Sequence, residues 1–233
     1  NFSSLIYNQV NIPIYFIVTG IPEITLGNKS FTSNNHSALS FISMSKYINM
    51  KALQCYTAVE EACNACNKIV LFPNITEKIF QLIHNDFIDK CIVIDTLYPI
   101  YSKRYNMSFD IIDKEFDIIC ISSNWKRSVK NMIFCEKIFM KNSNLNKIII
   151  GGFSNDSDDL KTFGCSHFKN IPNTKVLPLI DHDDVLKYIK KSKILLLPSF
   201  YESYSLIILE AMFNNCKVLT SRNVGSSNLI SNI

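Results

Sequence analysis

The segment LLLPSFYESYSLIILEAMFNN at residues 195–215 joins an apolar strand, a Pro-Ser break and a largely apolar stretch that is predicted to be a helix. We expect this helix to begin near Ser203. Glu202 stands just before it, and Glu210 lies inside it among apolar residues. A buried carboxylate is costly unless hydrogen-bond donors reach it. The segment therefore predicts a strand-to-helix turn with a polar ligand nearby.

The same alternation of strand and helix extends along the second half of the chain. Continuous apolar runs predict strands at 116–123, 147–152, 174–179, 193–199 and 216–222. Helical spacing and helix-end residues predict intervening helices at 128–142, 156–164 and 181–192. Strands that are apolar throughout, alternating with helices, are typical of a parallel sheet covered on both faces. This half is therefore predicted to be a doubly wound α/β domain.

The first half follows a less regular pattern of the same kind. It is predicted to contain strands at 10–20, 68–73 and 90–95, and helices at 53–66 and 74–85. Residues 97–115 show no sustained apolar period, so we interpret them as a connection between domains. We therefore predict two α/β domains with parallel sheets, an incomplete N-terminal one at 1–114 and a C-terminal one at 115–233.

Composition limits the class of protein. Of the 233 residues, 47% are hydrophobic and 19% are charged, as in proteins with a packed core. A net charge of +4 with signs that alternate along the chain gives no support for nucleic-acid binding. No apolar run approaches the roughly 20 residues of a transmembrane helix, which leaves only peripheral membrane contact open. The start lacks both a signal peptide and an initiator Met, so we expect a cytoplasmic protein of which this chain is a part.

Eight cysteines are spread along the chain, and several fall within apolar strands or helices, where thiols are usually inert. Cys63 and Cys66 form a C-x-x-C pair, a spacing used in zinc and redox sites. No second pair of zinc ligands is evident, and the pair lies at the predicted end of a helix. We therefore favour a structural role for both thiols, in a reducing compartment.

A parallel sheet binds ligands beyond the carboxyl ends of its strands, and the segment that follows residue 197 is the most informative of these positions. The start of its helix would present the backbone amides of Tyr204, Ser205 and Leu206, which attract phosphate. Glu202 and Glu210 would then accept hydrogen bonds from hydroxyl groups at two ends of one ligand. The alternative is that Glu210 pairs with a Lys or Arg and that Glu202 only favours the helix start.

A basic cluster follows the strand at 116–123 and consists of Lys126, Arg127 and Lys130. Because cations at a helix start oppose the helix dipole, their presence favours a bound anion such as a diphosphate. The alternative is a solvated basic turn. Dinucleotide, P-loop and α/β-hydrolase glycine motifs are absent from the sequence. His182, in DHDD at 181–184, is interpreted as a surface residue at a helix start, where Asp is favoured without a metal.

These motifs together resemble retaining glycosyltransferase family four, the glycosyl transferases group 1, of GT-B fold. The resemblance rests on the order and spacing of Pro198-Ser199, Glu202, Glu210-Ala211-Met212, the strand KVLTS and Gly225. WKRSVKN at 125–131 is similar to the basic motif of that family. The match covers roughly 115–233 and is fairly specific, whereas the first half resembles the acceptor domain of the family only weakly.

The resemblance implies transfer of a sugar from a UDP- or GDP-sugar to a glycan, lipid or protein acceptor, with retention and without a metal or other cofactor. Glu202 would contact hydroxyls of the donor sugar, and Glu210 would accept from the ribose. Arg127 and Lys130 would bind the diphosphate and stabilise the leaving group. The amides of Tyr204, Ser205 and Leu206 would share that work.

Three departures from the family leave alternatives open. Ser203 and Ser205 stand where the family often has Gly, and Thr19-Gly20 is the nearest equivalent to its usual N-domain His. The chain is also shorter than the family's usual members and is expected to lack segments at both ends. A nucleotide-sugar epimerase, a phosphorylase-like enzyme and a non-catalytic relative therefore remain alternatives.

Overall fold

A computed structural model describes residues 13–18, 50–72, 75–94, 113–125, 127–152 and 165–231. They form two compact units, each treated by itself below. The first consists of the described residues within Asn1–Tyr98 together with Glu202–Tyr204 and Asn223–Ser226. The second consists of those within Pro99–Tyr201, Ser205–Arg222 and Ser227–Ile233. The predicted boundary near residue 114 adjoins residues outside the described ranges and stays a prediction, and the predicted helix at 156–164 and Thr19-Gly20 also lie outside them.

The first unit contains a three-stranded parallel sheet in the order β1-β2-β3. Its strands are β1 (Tyr15–Ile17), β2 (Lys68–Leu71) and β3 (Cys91–Val93), and its helices are α1 (Met50–Ala65) and α2 (Ile75–Ile83). A short 3-10 helix, Asn85–Lys90, precedes β3. The central strand β2 and the inner face of α2 supply fully buried residues, among them Ile69, Leu71, Ile79 and Phe80. Strand β2 is apolar after its first residue because it has a neighbour on each side and is buried there.

The second unit contains a five-stranded parallel sheet in the order β6-β5-β4-β7-β8. Its strands are β4 (Phe116–Ser122), β5 (Lys147–Gly151), β6 (Thr174–Leu177), β7 (Ser192–Leu197) and β8 (Lys217–Thr220). Its helices are α3 (Met132–Lys141), α4 (His182–Lys190), α5 (Leu206–Phe213) and α6 (Asn228–Ser231). Short 3-10 helices occur at Ser128–Lys130, Cys165–Asn170 and Gly225–Ser227. The predicted α/β fold class with parallel sheets is confirmed.

Both faces of this sheet carry hydrophobic cores, which explains why its central strands are apolar without alternation. Ile118 and Cys120 of β4 pack in one cluster with Phe139 and Phe168, whose rings meet edge to face at 5.5 Å. Ile119, the residue between them, belongs to a second cluster that includes residues of α4 and α5. Successive side chains of a strand point to opposite faces, so a sheet covered on both sides requires apolar residues at every position.

Lys114 enters the second unit just before β4 and holds the carboxyl ends of two of its helices. Its Nζ donates to the carbonyl of Lys190 at the end of α4 and to the carbonyls of Asn214 and Asn215 after α5, at 2.9, 3.3 and 2.9 Å. The last carbonyls of a helix lack intrahelical partners and carry the negative end of its dipole. One ammonium therefore satisfies carbonyls at both helix ends.

Gly151 closes β5 at the point where that strand approaches the end of β4. It has a φ of 145° and pairs in register with Ser122. A Cβ built on it would lie 1.9 Å from the Ser122 carbonyl oxygen and 2.6 Å from Trp125 Nε1. The Trp125 indole donates to the Ile150 carbonyl at 3.2 Å, so the ring covers this turn. Glycine is therefore required here for both conformation and space.

Candidate functional site

The strand order of the second unit reverses between β4 and β7. Strand β4 comes first along the chain, β5 and β6 extend the sheet to one side of it, and β7 and β8 extend it to the other. Doubly wound sheets bind ligands beyond the carboxyl ends of their strands at such a reversal. The segments that follow β4 and β7 carry the basic cluster and the two glutamates that the sequence singles out, so the candidate site lies at this edge.

Two hydrogen bonds join these segments. The amide of Phe200 donates to the Val129 carbonyl at 2.8 Å, and Asn131 Nδ2 donates to the Pro198 carbonyl at 3.1 Å. The bonds hold the turn that contains Arg127 and Lys130 against the segment that follows β7. A basic turn and the approach to helix α5 are thus adjacent at the reversal point.

The basic turn differs from the predicted continuous helix at 128–142. Ser128–Lys130 is a 3-10 turn, Asn131 adopts a left-handed conformation with φ 53°, and α3 begins at Met132. Arg127 is exposed and Lys130 is half-buried, while Lys126 lies outside the described residues. The cations therefore precede α3 instead of forming its first turn.

We expect Asn131→Ala to lower the free energy of unfolding by about 2 kcal/mol, from the left-handed backbone and the lost hydrogen bond to Pro198. Asn131→Gly keeps the backbone conformation accessible and loses only the side-chain bond, so we expect a loss of roughly half that size. Urea denaturation of both variants measures the difference. An alanine variant as stable as the parent would contradict the left-handed backbone of Asn131 and its hydrogen bond to Pro198.

Helix α5 begins at Leu206, three residues later than predicted, with Ser205 at its N-cap. The Ser205 hydroxyl makes no capping bond to the helix. Because the first amides of a helix have no intrahelical carbonyl to bind, those of Ser205, Leu206 and Ile207 form the helix start. Ser205 is buried and Leu206 is exposed. The amide of Tyr204 is therefore not part of the helix start, contrary to the prediction.

The later start follows from the backbone of Glu202, which pairs in parallel fashion with Val224 within the first unit. The Glu202 amide donates to the Asn223 carbonyl at 3.3 Å, and the Gly225 amide donates to the Glu202 carbonyl at 2.9 Å. A Cβ on Gly225 would lie 1.9 Å from the Ser203 carbonyl oxygen. The glycine of the predicted motif thus permits close approach of the chain that carries Glu202.

Residues of the first unit also contact the neighbours of Glu202 along the chain. Glu202 itself is half-buried. Tyr204 stacks on Phe72 with ring centroids 5.1 Å apart, and Thr76 Oγ1 donates to the Ser203 carbonyl at 3.2 Å. Glu202 and Tyr204 therefore group with the first unit, whereas the other predicted site residues in the described ranges group with the second.

Glu210 lies in α5 between buried neighbours and is itself buried, with 7% of its surface exposed. His182 Nε2, at the start of α4, lies 2.8 Å from Glu210 Oε1. The predicted alternative of a Lys or Arg partner gives way to a histidine, because α4 begins after β6 at the same edge of the sheet.

The sequence predicts a surface position for His182, and about half of its side chain is exposed. The contact of the same side chain with Glu210 was not predicted. The local signal for this histidine was its position after an apolar strand, where polar residues gather at the carboxyl edge. No pattern linked it to a residue 28 positions away. The pairing arises from the packing of α4 beside α5 in the core cluster that contains Val185, Ile189 and Ala211.

The C-x-x-C pair lies at the end of α1 with both thiols buried. The Cys66 thiol donates to the Cys63 carbonyl at 3.4 Å, and burial raises the pKa of Cys66. A reactive cysteine requires the opposite shift, so the pair fits a structural role. Within the described ranges, His, Cys, Asp and Glu form no group of three or more that could hold a metal ion. No helix among the described residues is long and apolar enough to cross a membrane.

One known protein family matches the part of the chain that contains the second unit. The family model for glycosyl transferases group 1 matches residues 113–232, more than half of the chain. The chain belongs to this family. Its match contains the basic turn, Glu202, Glu210 and Gly225, so the family resemblance in the sequence is confirmed. No curated protein sequence matches this glycosyl transferase.

Solved structures with the same fold include several GT-B glycosyltransferases. Sucrose-phosphate synthase from Thermosynechococcus elongatus is 14% identical, with a TM-score of 0.63 over 96% of this chain and 54% of its own. HepE from Anabaena, in complex with UDP-glucose, is 11% identical, with a TM-score of 0.62 over 97% of this chain and 58% of its own. WaaG, a glycosyltransferase involved in lipopolysaccharide biosynthesis, is 14% identical, with a TM-score of 0.61 over 98% of this chain and 64% of its own. This glycosyl transferase chain thus spans between one half and two thirds of the length of these structures.

Proposed function

We propose that this chain is the part of a retaining glycosyltransferase that binds a UDP- or GDP-sugar, and that the whole protein transfers the sugar to a glycan, lipid or protein acceptor. The observation that carries the proposal is Glu210, a carboxylate buried in α5 at the sheet edge where doubly wound folds bind ligands. The UDP-glucose complex of HepE, which shares the fold, supports a nucleotide sugar as the ligand.

Each part of the site corresponds to one part of such a donor. Glu210 accepts hydrogen bonds from ribose hydroxyls, which offset the cost of its burial. The amides at the start of α5 and the side chains of Arg127 and Lys130 bind the diphosphate. Arg127 is exposed and Lys130 is half-buried, and both lie between β4 and α3.

In the reaction an acceptor hydroxyl oxygen forms a bond to the anomeric carbon on the face from which the diphosphate leaves. The bond between that carbon and the diphosphate oxygen breaks, and the hydroxyl proton passes to the departing diphosphate. Negative charge develops on the departing diphosphate, and the cations and amides that bind it stabilise that charge. The protein otherwise positions the two reactants and needs no metal ion. Glu202 contacts hydroxyls of the donor sugar in this proposal, and its backbone pairing with Val224 fixes the segment that carries it. We place the reaction in the cytoplasm.

Binding of nucleotides to the full-length protein tests the proposal. Calorimetric titrations with UDP, GDP and ADP identify the preferred base. We expect Arg127→Ala with Lys130→Ala to weaken the preferred diphosphate by about 10- to 100-fold, because two charge-assisted contacts are lost. Lys141→Ala, which removes an exposed cation from the end of α3, is the matched control and should leave affinity unchanged. Unaltered affinity in the double variant would remove the diphosphate assignment.

Turnover separates the remaining alternatives. A transferase is expected to hydrolyse the preferred nucleotide sugar or to transfer its sugar to an added acceptor. Conversion of the donor to its epimer, or release of a sugar phosphate in the presence of inorganic phosphate, would instead indicate an epimerase or a phosphorylase-like enzyme. Binding without any turnover of the donor would identify a non-catalytic relative.

A further inference from the structure

The contact between His182 and Glu210 has one solvent-facing partner and one enclosed partner. The His182 side chain is 51% exposed, whereas the Glu210 side chain is 10% exposed. Nε2 and Oε1 lie 2.8 Å apart, which is a short and well-formed hydrogen bond. We assign the donor role to the imidazole Nε2 and the acceptor role to the carboxylate, because a carboxylate without a proton can only accept.

The two helices that carry His182 and Glu210 pack together in one hydrophobic core. His182 is the first residue of α4, after the N-cap Asp181, and Glu210 lies in the fifth position of α5. Val185 and Ile189 of α4 and Ala211 of α5 are buried in the same core cluster. These packed side chains fix the positions of the two helices from which His182 and Glu210 extend.

A carboxylate has two oxygens and about four acceptor positions, of which the imidazole takes one on Oε1. Recognition of two adjacent hydroxyls requires the carboxylate plane to be fixed, because both hydroxyls must meet it at once. We propose that His182 is a positioning residue that orients Glu210 to accept from the 2′- and 3′-hydroxyls of the ribose, and so sets the preference for ribonucleotides over 2′-deoxyribonucleotides. This inference rests on the proposed function of Glu210.

A purely structural role for His182 makes a different prediction. If the bond only joined α4 to α5, its loss would lower stability and weaken ribonucleotide and deoxyribonucleotide binding alike. The charged neighbours of His182 on α4 do not replace it. Asp183 is exposed on the same turn, and Asp184 pairs with Lys187 at 2.6 Å.

The test compares UDP with 2′-deoxy-UDP on the full-length protein, or the corresponding pair for the base that the titrations select. We expect the parent to bind the ribonucleotide about 10-fold more tightly, since one charge-assisted hydrogen bond is at stake. His182→Ala should reduce that ratio to about 2-fold, mainly by weakening UDP. His182→Gln can place a donor near the position of Nε2 and should restore most of the ratio. Asp183→Asn is the matched control and should leave it unchanged.

The outcomes distinguish the two proposals. If Glu210→Gln leaves both the affinity and the ratio unchanged, the proposed nucleotide site is wrong. If Glu210→Gln abolishes the ratio while His182→Ala preserves it, the site stands and the role of His182 is overturned. An equal loss of affinity for both nucleotides in His182→Ala, with a lowered melting temperature, also overturns it. Loss of the ratio in His182→Ala with recovery in His182→Gln supports it.

Discussion

Replacing Gly151 with alanine is expected to lower the free energy of unfolding by about 3–5 kcal/mol. The new Cβ would lie 1.9 Å from the Ser122 carbonyl oxygen, which is far inside van der Waals contact. That oxygen belongs to the backbone at the end of β4 and cannot rotate away. The φ of 145° adds strain, because alanine rarely adopts it.

Thermal unfolding followed by circular dichroism measures this effect. A loss of this size corresponds to a decrease in melting temperature of roughly 10 °C for a chain of this length. Ser143→Ala, at an exposed turn between α3 and β5, serves as the control and should change the melting temperature by less than about 1 °C. A decrease in Gly151→Ala no larger than that of the control would mean that β4 and β5 do not approach each other as closely as described.

Lys114→Met is expected to lower the free energy of unfolding by about 2–4 kcal/mol, because three carbonyls lose a charged donor while the aliphatic stem is kept. The carbonyls of Lys190, Asn214 and Asn215 lie at the carboxyl ends of α4 and α5. The same two helices carry His182 and Glu210. We therefore expect both helix ends to exchange amide protons faster in this variant.

The control for Lys114 is Lys141→Met, which replaces an exposed lysine at the end of α3. Its effect should be within about 0.5 kcal/mol of zero, as for most surface substitutions. Urea denaturation gives the free energies, and hydrogen exchange localises the loss. Equal stability of the two variants, or faster exchange spread evenly through the second unit, would contradict the assignment of Lys114 to the two helix ends.

The sheet of the second unit could be predicted from sequence because its signal is local. Buried strands on a sheet covered on both faces, such as Ile118–Cys120 in β4, are apolar at every position. The family motifs could also be recognised, since Glu202, Glu210 and Gly225 follow one another along the chain at the spacing of the family. Both signals survive without any knowledge of which segments meet in space.

The missed features depend on contacts between distant segments. Asn131 interrupts a helical pattern because its side chain bonds to Pro198, 67 positions away. Helix α5 starts late because Glu202 pairs with Val224. His182 meets Glu210 only after α4 and α5 have packed. Local propensity carries no information about these partners, and tertiary contacts override it.

The chain does not divide its two units at one point, since Glu202–Tyr204 and Asn223–Ser226 belong to the first and the residues around them to the second. Limited proteolysis, or expression of the carboxyl-terminal half alone, would consequently separate two short segments from the rest of their unit. Both segments would remain attached to the second unit. Tyr204 would lose the ring of Phe72, and Ser203 the hydroxyl of Thr76. A half-protein that binds nucleotide without turning over a nucleotide sugar would therefore not contradict the transfer proposed for the whole protein.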